Sequence, residues 1–436
     1  HLTTRQDIQI HHVSLDRTPE LWAKLEQDDI TLREACGNTV RNITASPEAG
    51  IDSNEPFDVS PYANALFSYF LRKPFGQELG RKIKIAFSNN DKDTAVTYIH
   101  DIGFIPKVNE AGERGFKVLI GGGLGAQPFL AQTAHEFLPE NKLIPFVEST
   151  IRVFDRHGER VSRHKARIKY LINKIGVAEF LKLVEEEEKA ILNKVYEIDR
   201  TTVDVEFPIS VTNTLPLPVL NEKEYKIWLD TNTFKQKQEG FYGVYVKVLL
   251  GNISSAKSRL LAKVIDTYGS SQDFRITINQ GFLLKFVSKK SLPFLFNELK
   301  QLELATPGFD SVGDITACPG TDTCNLAISN STNVTVELEK VIYAEFPDLV
   351  YNHDLKIKIS GCMNSCGQHG LAHIGFHGSS FKVGASVVPA LQVLLGGGTV
   401  GNGDGRIAEK VIKVASKRGP DVLRTIFNDF QKNAVE

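Results

Sequence analysis

The chain has 436 residues, 42% of them hydrophobic and 24% charged, and 51 Lys and Arg against 52 Asp and Glu leave a formal net charge of −1. That describes a globular chain with material for two or three domains. A mean hydropathy of −0.16, with no apolar run near the roughly 18 to 20 residues of a spanning helix, excludes a multi-span membrane protein, and the neutral balance argues against a dedicated nucleic-acid binder.

In chain order, residue 1 is His, the sole Met is Met363, and no basic segment leads into an apolar one. The chain is therefore expected to lack a signal peptide and to continue upstream. Periodicity predicts a helix over residues 19–26, strands over 82–87 and 117–120, then helices over 128–137 and 166–175. The four-carboxylate run 185–188 reads as a solvated helix face. Residues 212–220, with two prolines, read as a linker. A strand over 242–249, a helix over 255–268, a strand over 275–278, a helix over 292–301 and strands over 356–359 and 392–395 complete a mixed α/β pattern.

A repeat displaced by about 274 residues organises these elements. The opening His1-Leu-Thr-Thr-Arg-Gln-Asp-Ile8 resembles Arg275-Ile-Thr-Ile-Asn-Gln-Gly-Phe282, Leu21-Trp22 through Leu25 lies on Leu295-Phe296 through Leu299, and Gly37-Asn-Thr39 lies on Gly313-Asp-Ile315. Lys82-Ile-Lys-Ile85 recurs as Lys356-Ile-Lys-Ile359, Ile102-Gly-Phe104 as Ile374-Gly-Phe376, and Val118-Leu-Ile-Gly-Gly-Gly123 as Val393-Leu-Leu-Gly-Gly-Gly398. Six matches in one order imply duplication. Residues 240–274 have no counterpart before His1, so the first copy is expected to lack about 35 residues at its start, and the second to stop short of a counterpart to 153–184.

Four of the five cysteines form two tight pairs, Cys318-Pro-Gly-Thr-Asp-Thr-Cys324 and Gly361-Cys-Met-Asn-Ser-Cys366. Paired thiolates from two loops suit tetrahedral zinc or an iron–sulfur cluster. The five-residue gap in the first pair is awkward for a zinc knuckle and easier around a larger cluster. Two disulfides or four buried thiols are the remaining readings, and the low cysteine count, which points to a reducing, cytoplasmic setting, weighs against disulfides. Cys36 stands alone and reads as a buried structural thiol.

Thr316-Ala-Cys-Pro-Gly-Thr-Asp-Thr-Cys324 followed by Ile359-Ser-Gly-Cys-Met-Asn-Ser-Cys-Gly-Gln-His369 resembles the signature of sirohaem-containing sulfite and nitrite reductases. The resemblance spans essentially the whole chain, with one departure at Met363, where many members carry Pro. It implies an α+β (mixed α/β), pseudo-twofold duplicated fold of ferredoxin-like half-domains and two α/β repeat domains. On that plan residues 1–13 end a first ferredoxin-like half-domain and 14–206 form the sirohaem- and substrate-binding repeat. Residues 207–236 are a linker, 237–305 the second half-domain, and 306–436 the cluster-binding repeat, truncated at its C-terminus.

The resemblance also implies the site. Cys318, Cys324, Cys362 and Cys366 would bind a [4Fe–4S] cluster, with Cys366 bridging to the sirohaem iron and Asn364 beside it. Thr3, Arg5, Gln9 and His11 would contact the macrocycle, Arg41 would bind the anion, and Lys82 and Lys84 would face the distal side of the iron. Strand alternation puts those two lysines on one face. Their plainer reading is the wet face of an edge strand, and the Lys356/Lys358 pair shows that the pattern is partly inherited. His11 alone reads as a structural histidine. Gly121-Gly-Gly-Leu-Gly125 lacks a nucleotide-binding pattern, so Gly122 and Gly123 are expected to let backbone approach a flat macrocycle. Arg167 and Lys169, otherwise an exposed helix face, become candidates for sirohaem carboxylates.

The implied activity is six-electron reduction of sulfite to sulfide, or of nitrite to ammonia, with a ferredoxin or flavoprotein as external electron donor. Lys-x-Lys at 82–84 resembles sulfite-type members, and a second ammonium suits a dianion. Cys36 falls where some of these carry a Cys linked to a tyrosine. That tyrosine and a further anion-binding Arg would lie upstream of His1, so the chain alone could be inactive. The rival of another class is a zinc-binding or cluster-only electron carrier without a basic pocket.

Overall fold

The computed structural model of the chain describes residues 1–201, 218–268 and 274–434. Helix α1 (Thr18–Glu26) is followed by a five-stranded sheet of β1 (Val40–Ala45), β2 (Ile83–Phe87), β3 (Ile102–Val108), β4 (Arg114–Ile120) and β5 (Gln132–Pro139), in that order. Helices α2 (Ser60–Phe70), α3 (Leu143–His157), α4 (Ile168–Ile175) and α5 (Val177–Ala190) accompany it. Ile83, Ile85 and Phe87 of β2 are wholly buried in the first core with Phe104, Phe116, Phe146 and Phe154.

A second unit contains α6 (Glu222–Asn232), β6 (Thr233–Lys235), β7 (Phe241–Val246), α7 (Ser255–Tyr268), β8 (Arg275–Ile276), β9 (Phe282–Ser288) and α8 (Leu292–Gln301). Its four strands are ordered β6-β7-β9-β8. A third holds β10 (Thr316–Ala317), α9 (Ser331–Glu345), β11 (Ile357–Ser360), β12 (Ile374–Val383), β13 (Ser386–Leu395), β14 (Gly398–Gly401), β15 (Asp404–Arg406), β16 (Glu409–Ala415) and α10 (Gly419–Asn433).

The duplication is visible in the pairing. β1-β2-β3 and β10-β11-β12 are parallel, and β3-β4-β5 and β12-β13-β16 antiparallel, with Ile102 opposite Ile120 and Ile374 opposite Leu395. The two opening turns interlock across the pseudo-twofold axis. Gln6 and Gln280 both hold positive φ, 59° and 63°. Gln6 Nε2 donates to the carbonyls of Ile276 and Ala45, each at 3.0 Å, while Gln280 Nε2 donates to the Leu2 carbonyl at 3.0 Å and its Oε1 accepts from Ala317 N. Each copy thus caps the other's turn.

Three local expectations are corrected. Residues 128–137 contain strand β5, not a helix. Ala134 and Leu138 face the core four residues apart, a spacing that both a strand and a helix satisfy, and pairing with β4 decides it. The 185–188 run is not all solvated: Glu187 is buried and accepts from Arg156 Nη1 at 2.8 Å. Within 207–236, residues 207–217 lie outside the described residues, but α6 is no linker. Its Trp228 is wholly buried in the second core, and its N-cap Asn221 accepts from Glu224 N at 3.1 Å.

Candidate active site

The pseudo-twofold arrangement sets the N-terminal edge of the first sheet against the loops leaving the C-terminal ends of β10 and β11. Between them, roofed by the opening segment, is a cavity of about 540 Å³. Ile83 and Ile85 point into the core, so alternation turns Lys82 and Lys84 to the cavity. Arg41 at the start of β1, Arg5 from the opening turn and Arg167 before α4 join them.

These cations crowd one another. Burial, then Arg41, Arg167 and Arg81, push the Lys82 ammonium down to about 8. Burial, followed by Arg5, Lys82 and Arg41, takes Lys84 well below the ordinary lysine range. Arg5 is lowered to about 10, by burial first and Arg167 second. The fully buried Asp101 organises the group: its Oδ2 accepts from the Lys84 backbone amide at 2.9 Å and from Arg167 Nη2 at 2.7 Å.

The opposite wall carries the thiols. Cys318 Sγ accepts from Gly361 N at 3.1 Å, and Cys324, Cys362 and Cys366 line the same space. Partial burial raises the Cys362 thiol, and the surrounding cavity walls raise that of Cys366, although Cys366 is itself exposed; the neighbouring cysteines raise both further, and Lys82 acts on Cys366 in the other direction. The last cysteine therefore sits where the two walls meet. Thr4 Oγ1 donates to the Cys366 carbonyl at 2.7 Å, and Gln368 Nε2 donates to the Thr4 carbonyl at 3.1 Å, stapling the roof to the cysteine loop. A Cβ at Gly367 would strike the Ile359 carbonyl, so the turn between them closes only on glycine.

Of the residues singled out from sequence, Thr3, Arg5, Gln9, His11, Arg41, Lys82, Lys84, Arg167, Asn364 and the four paired cysteines line this one cavity. Thr3 spends its hydroxyl locally, accepting from the amides of Arg5 and Asp7. Lys169 lies behind the wall: its Nζ donates to the carbonyls of Gly123, Leu124 and Gln127 and holds the glycine loop. Gly122 and Gly123 do not line the cavity either. A Cβ at Gly123 would come within 2.9 Å of Arg167 Nη1 and 3.0 Å of Lys169 Cδ, so Gly123 makes room for those two side chains rather than for a ligand. Cys36 is exposed, not buried. Thr4, Asp101 and Gln280 were missed. Asp101 had a signal, since it stands just before Ile102-Gly-Phe104, where the second copy has His373.

Comparison with known proteins bears on this geometry. The sequence profile of the nitrite and sulphite reductase 4Fe-4S domain matches residues 36–192 and 308–434, and that of the nitrite/sulfite reductase ferredoxin-like half domain matches 234–302. The chain belongs to the nitrite and sulphite reductase family. This family member is 30% identical over 405 residues to the assimilatory ferredoxin-dependent nitrite reductase of Haloferax mediterranei, covering 91% of the chain and 66% of that protein. It is 27% identical over 400 residues to sulfite reductase [ferredoxin] 1 of Mycolicibacterium paratuberculosis, covering 91% and 67%. The solved structure of the Mycobacterium tuberculosis NirA protein superposes with a TM-score of 0.83 at 27% identity, over the whole chain and 76% of its own. The chain thus spans about two thirds of the length of the two curated relatives.

The family's cofactors are a [4Fe–4S] cluster and sirohaem, and the cavity fits both. Among the described residues no three His, Cys, Asp or Glu side chains gather tightly enough for a single metal ion, whereas Cys318, Cys324, Cys362 and Cys366 line one cavity, and four cysteines are the donor set of a four-iron cluster. Arg5 Nε and Arg167 Nε are buried donors without a protein partner. Such donors are costly unless an acceptor arrives, and the carboxylates of sirohaem are acceptors of the right charge.

Proposed function

We propose that this chain carries the reducing centre of an oxidoreductase that takes a small oxyanion through a six-electron reduction, sulfite to sulfide in preference to nitrite to ammonia. The observation that carries the proposal is the meeting of four cysteines with Arg5, Arg41, Lys82, Lys84 and Arg167 on one cavity. The relatives' names divide between nitrite and sulfite. Support for sulfite comes from the second lysine: two ammonium groups on one strand face favour a dianion over a monoanion.

The cluster and sirohaem, when bound, supply the electrons and the iron centre for the reduction. The chain's own residues do the rest. Arg5 and Arg167 offer their unspent Nε–H groups to the macrocycle's carboxylates. Arg41 donates through Nε to the Ala35 carbonyl at 3.0 Å, which orients its terminal nitrogens for the anion. Lys82, lowered to about 8, holds a proton at neutral pH yet gives it up easily, as a general acid for leaving oxygen requires. Lys84 has its backbone fixed on Asp101, so its side chain is aimed rather than mobile. Cations preorganised around developing oxygen charge lower the barrier without reorganisation.

Electrons come from an external donor of the ferredoxin or flavoprotein class, ferredoxin being the donor in the relatives' names. A cytoplasmic, reducing setting suits five cysteines that are all free of disulfides, and among the described residues no helix is long and apolar enough to cross a membrane. A zinc-binding or cluster-only electron carrier would have no use for the cations facing the cysteines.

Turnover with an artificial reductant tests the proposal. Lys84→Asn is expected to lower sulfite turnover about tenfold more than nitrite turnover, the worth of one charged hydrogen bond of about 1.5 kcal/mol. Equal loss on both would remove the preference for sulfite. Cofactor-loaded protein that reduces neither anion would sink the reductase reading.

A further inference from the structure

The four thiols are not equivalent. Cys318 Sγ accepts from Gly361 N at 3.1 Å, and Ser331 Oγ stands 3.8 Å from the same sulfur. Gly361 is itself fixed, its carbonyl accepting from Ile328 N at 2.8 Å and Ser329 N at 3.1 Å. The backbone and side-chain amides of Asn364 act on Cys362. Cys324 and Cys366 take no hydrogen bond on sulfur from any described residue.

Ser331 is fully buried and opens helix α9, whose N-cap Asn330 accepts from Asn333 N at 2.9 Å. The positive end of that helix is therefore set against Cys318. The Ser331 hydroxyl has one proton to give and two acceptors on one residue, the Cys318 carbonyl at 2.7 Å and the Cys318 sulfur. While the sulfur is a thiol, the carbonyl holds that proton and the S–H can donate to Oγ. A thiolate has no proton to donate, and its charge makes it a competing acceptor for the O–H. Added negative charge moves the contest further toward sulfur.

On the cluster reading above, we propose that Ser331 is a positioning residue acting through Cys318: its hydroxyl turns from the Cys318 carbonyl to Cys318 Sγ when the cluster takes up an electron, and so raises the cluster's reduction potential. In that step one electron enters from the external donor, no bond to sulfur forms or breaks, and the proton stays on Ser331 Oγ. Hydrogen bonds to thiolate sulfur are among the levers that set such potentials. Cys366, with no donor on its sulfur, keeps its electron density for the cavity it shares with the cations.

Redox titration of the cofactor-loaded protein, followed by electron paramagnetic resonance of the cluster, tests this. Ser331→Ala should move the one-electron equilibrium about fivefold toward the oxidised form, about 40 mV at 59 mV per tenfold. Ser331→Val should shift it in the same direction, whereas Ser331→Thr, the isostere of valine that keeps the hydroxyl, should hold the wild-type value. That pair separates a lost hydrogen bond from a disturbed start of α9. A potential indifferent to Ser331→Ala, or equal shifts in Ser331→Val and Ser331→Thr, would overturn the proposal and leave the reductase reading standing. Wild-type protein that loads no cluster would overturn both.

Discussion

Asp101→Asn is the most informative single substitution, because one buried oxygen serves both the strand and the cavity. Asp101 is fully buried, and its Oδ2 accepts from Lys84 N at 2.9 Å and Arg167 Nη2 at 2.7 Å. The asparagine carbonyl, set where Oδ2 stands, can keep both bonds, but it carries no charge. The change therefore turns a charge-assisted hydrogen bond, about 1.5–3 kcal/mol, into a neutral one of about 1 kcal/mol, and leaves without its counter-charge a cation that is only 17% exposed. Breaking a buried pair from one side costs roughly 3–5 kcal/mol; the retained bonds put the expectation at the lower end, about 3 kcal/mol. At about 2–4 °C per kcal/mol, thermal unfolding of the variant should come roughly 6–12 °C lower. Sirohaem occupancy should fall with it, because Arg167 loses the charge that holds it in place. Denaturant titration in a double-mutant cycle with Arg167→Met isolates the pair: in that background Asp101→Asn should cost at most about 1 kcal/mol. A fully additive cycle, or a neutral single variant, would refute the claim that Asp101 works through Arg167.

Lys82→Met should stabilise the cofactor-free protein at neutral pH. The folded-state ammonium is lowered to about 8 from an unfolded value of about 10.4, so the unfolded chain holds more protons in between and wild-type stability rises across that window. The variant's advantage should be full below about pH 8 and vanish by about pH 10.4; a constant advantage in denaturant titrations would contradict the assignment. Gly123→Ala should displace Arg167 and Lys169, which its Cβ would approach to 2.9 and 3.0 Å, and lower sirohaem occupancy with cluster absorption unchanged. A variant that loads sirohaem normally would show that the glycine loop has slack. Thr4→Val removes the hydroxyl that donates to the Cys366 carbonyl at 2.7 Å. It should cost about 1 kcal/mol and speed loss of the cluster under oxygen, whereas wild-type cluster lifetime would argue against a staple.

Much of the site can be read in the sequence because its elements obey local rules. Lys82-Ile-Lys-Ile85 declares two faces by alternation, and the cysteine pairs bring their own spacing. The duplicated strings set the topology of both five-stranded sheets. What fails is what only tertiary structure decides. Residues 132–139 pair with β4 although the apolar spacing also fits a helix. Glu187 finds Arg156 from a neighbouring helix. Lys169 looks like a ligand for carboxylates but is spent on three backbone carbonyls, and Asp101, the organiser of the cation group, is a single acid whose partners lie far along the chain. Side-chain chemistry was legible; which atoms were already taken was not.

One cavity is expected to hold a cluster on Cys318, Cys324, Cys362 and Cys366 and a sirohaem among Arg5, Arg41, Lys82, Lys84 and Arg167. The most direct measurement is the absorption spectrum of protein produced with an ample sirohaem supply, read together with iron, zinc and acid-labile sulfide. Sirohaem bands with labile sulfide, and iron far in excess of zinc, are expected. Substituting Cys366→Ser should lose the sulfide, and Arg5→Met with Arg167→Met should lose the sirohaem bands while the sulfide stays. Zinc at one equivalent with no labile sulfide and no sirohaem bands would contradict it.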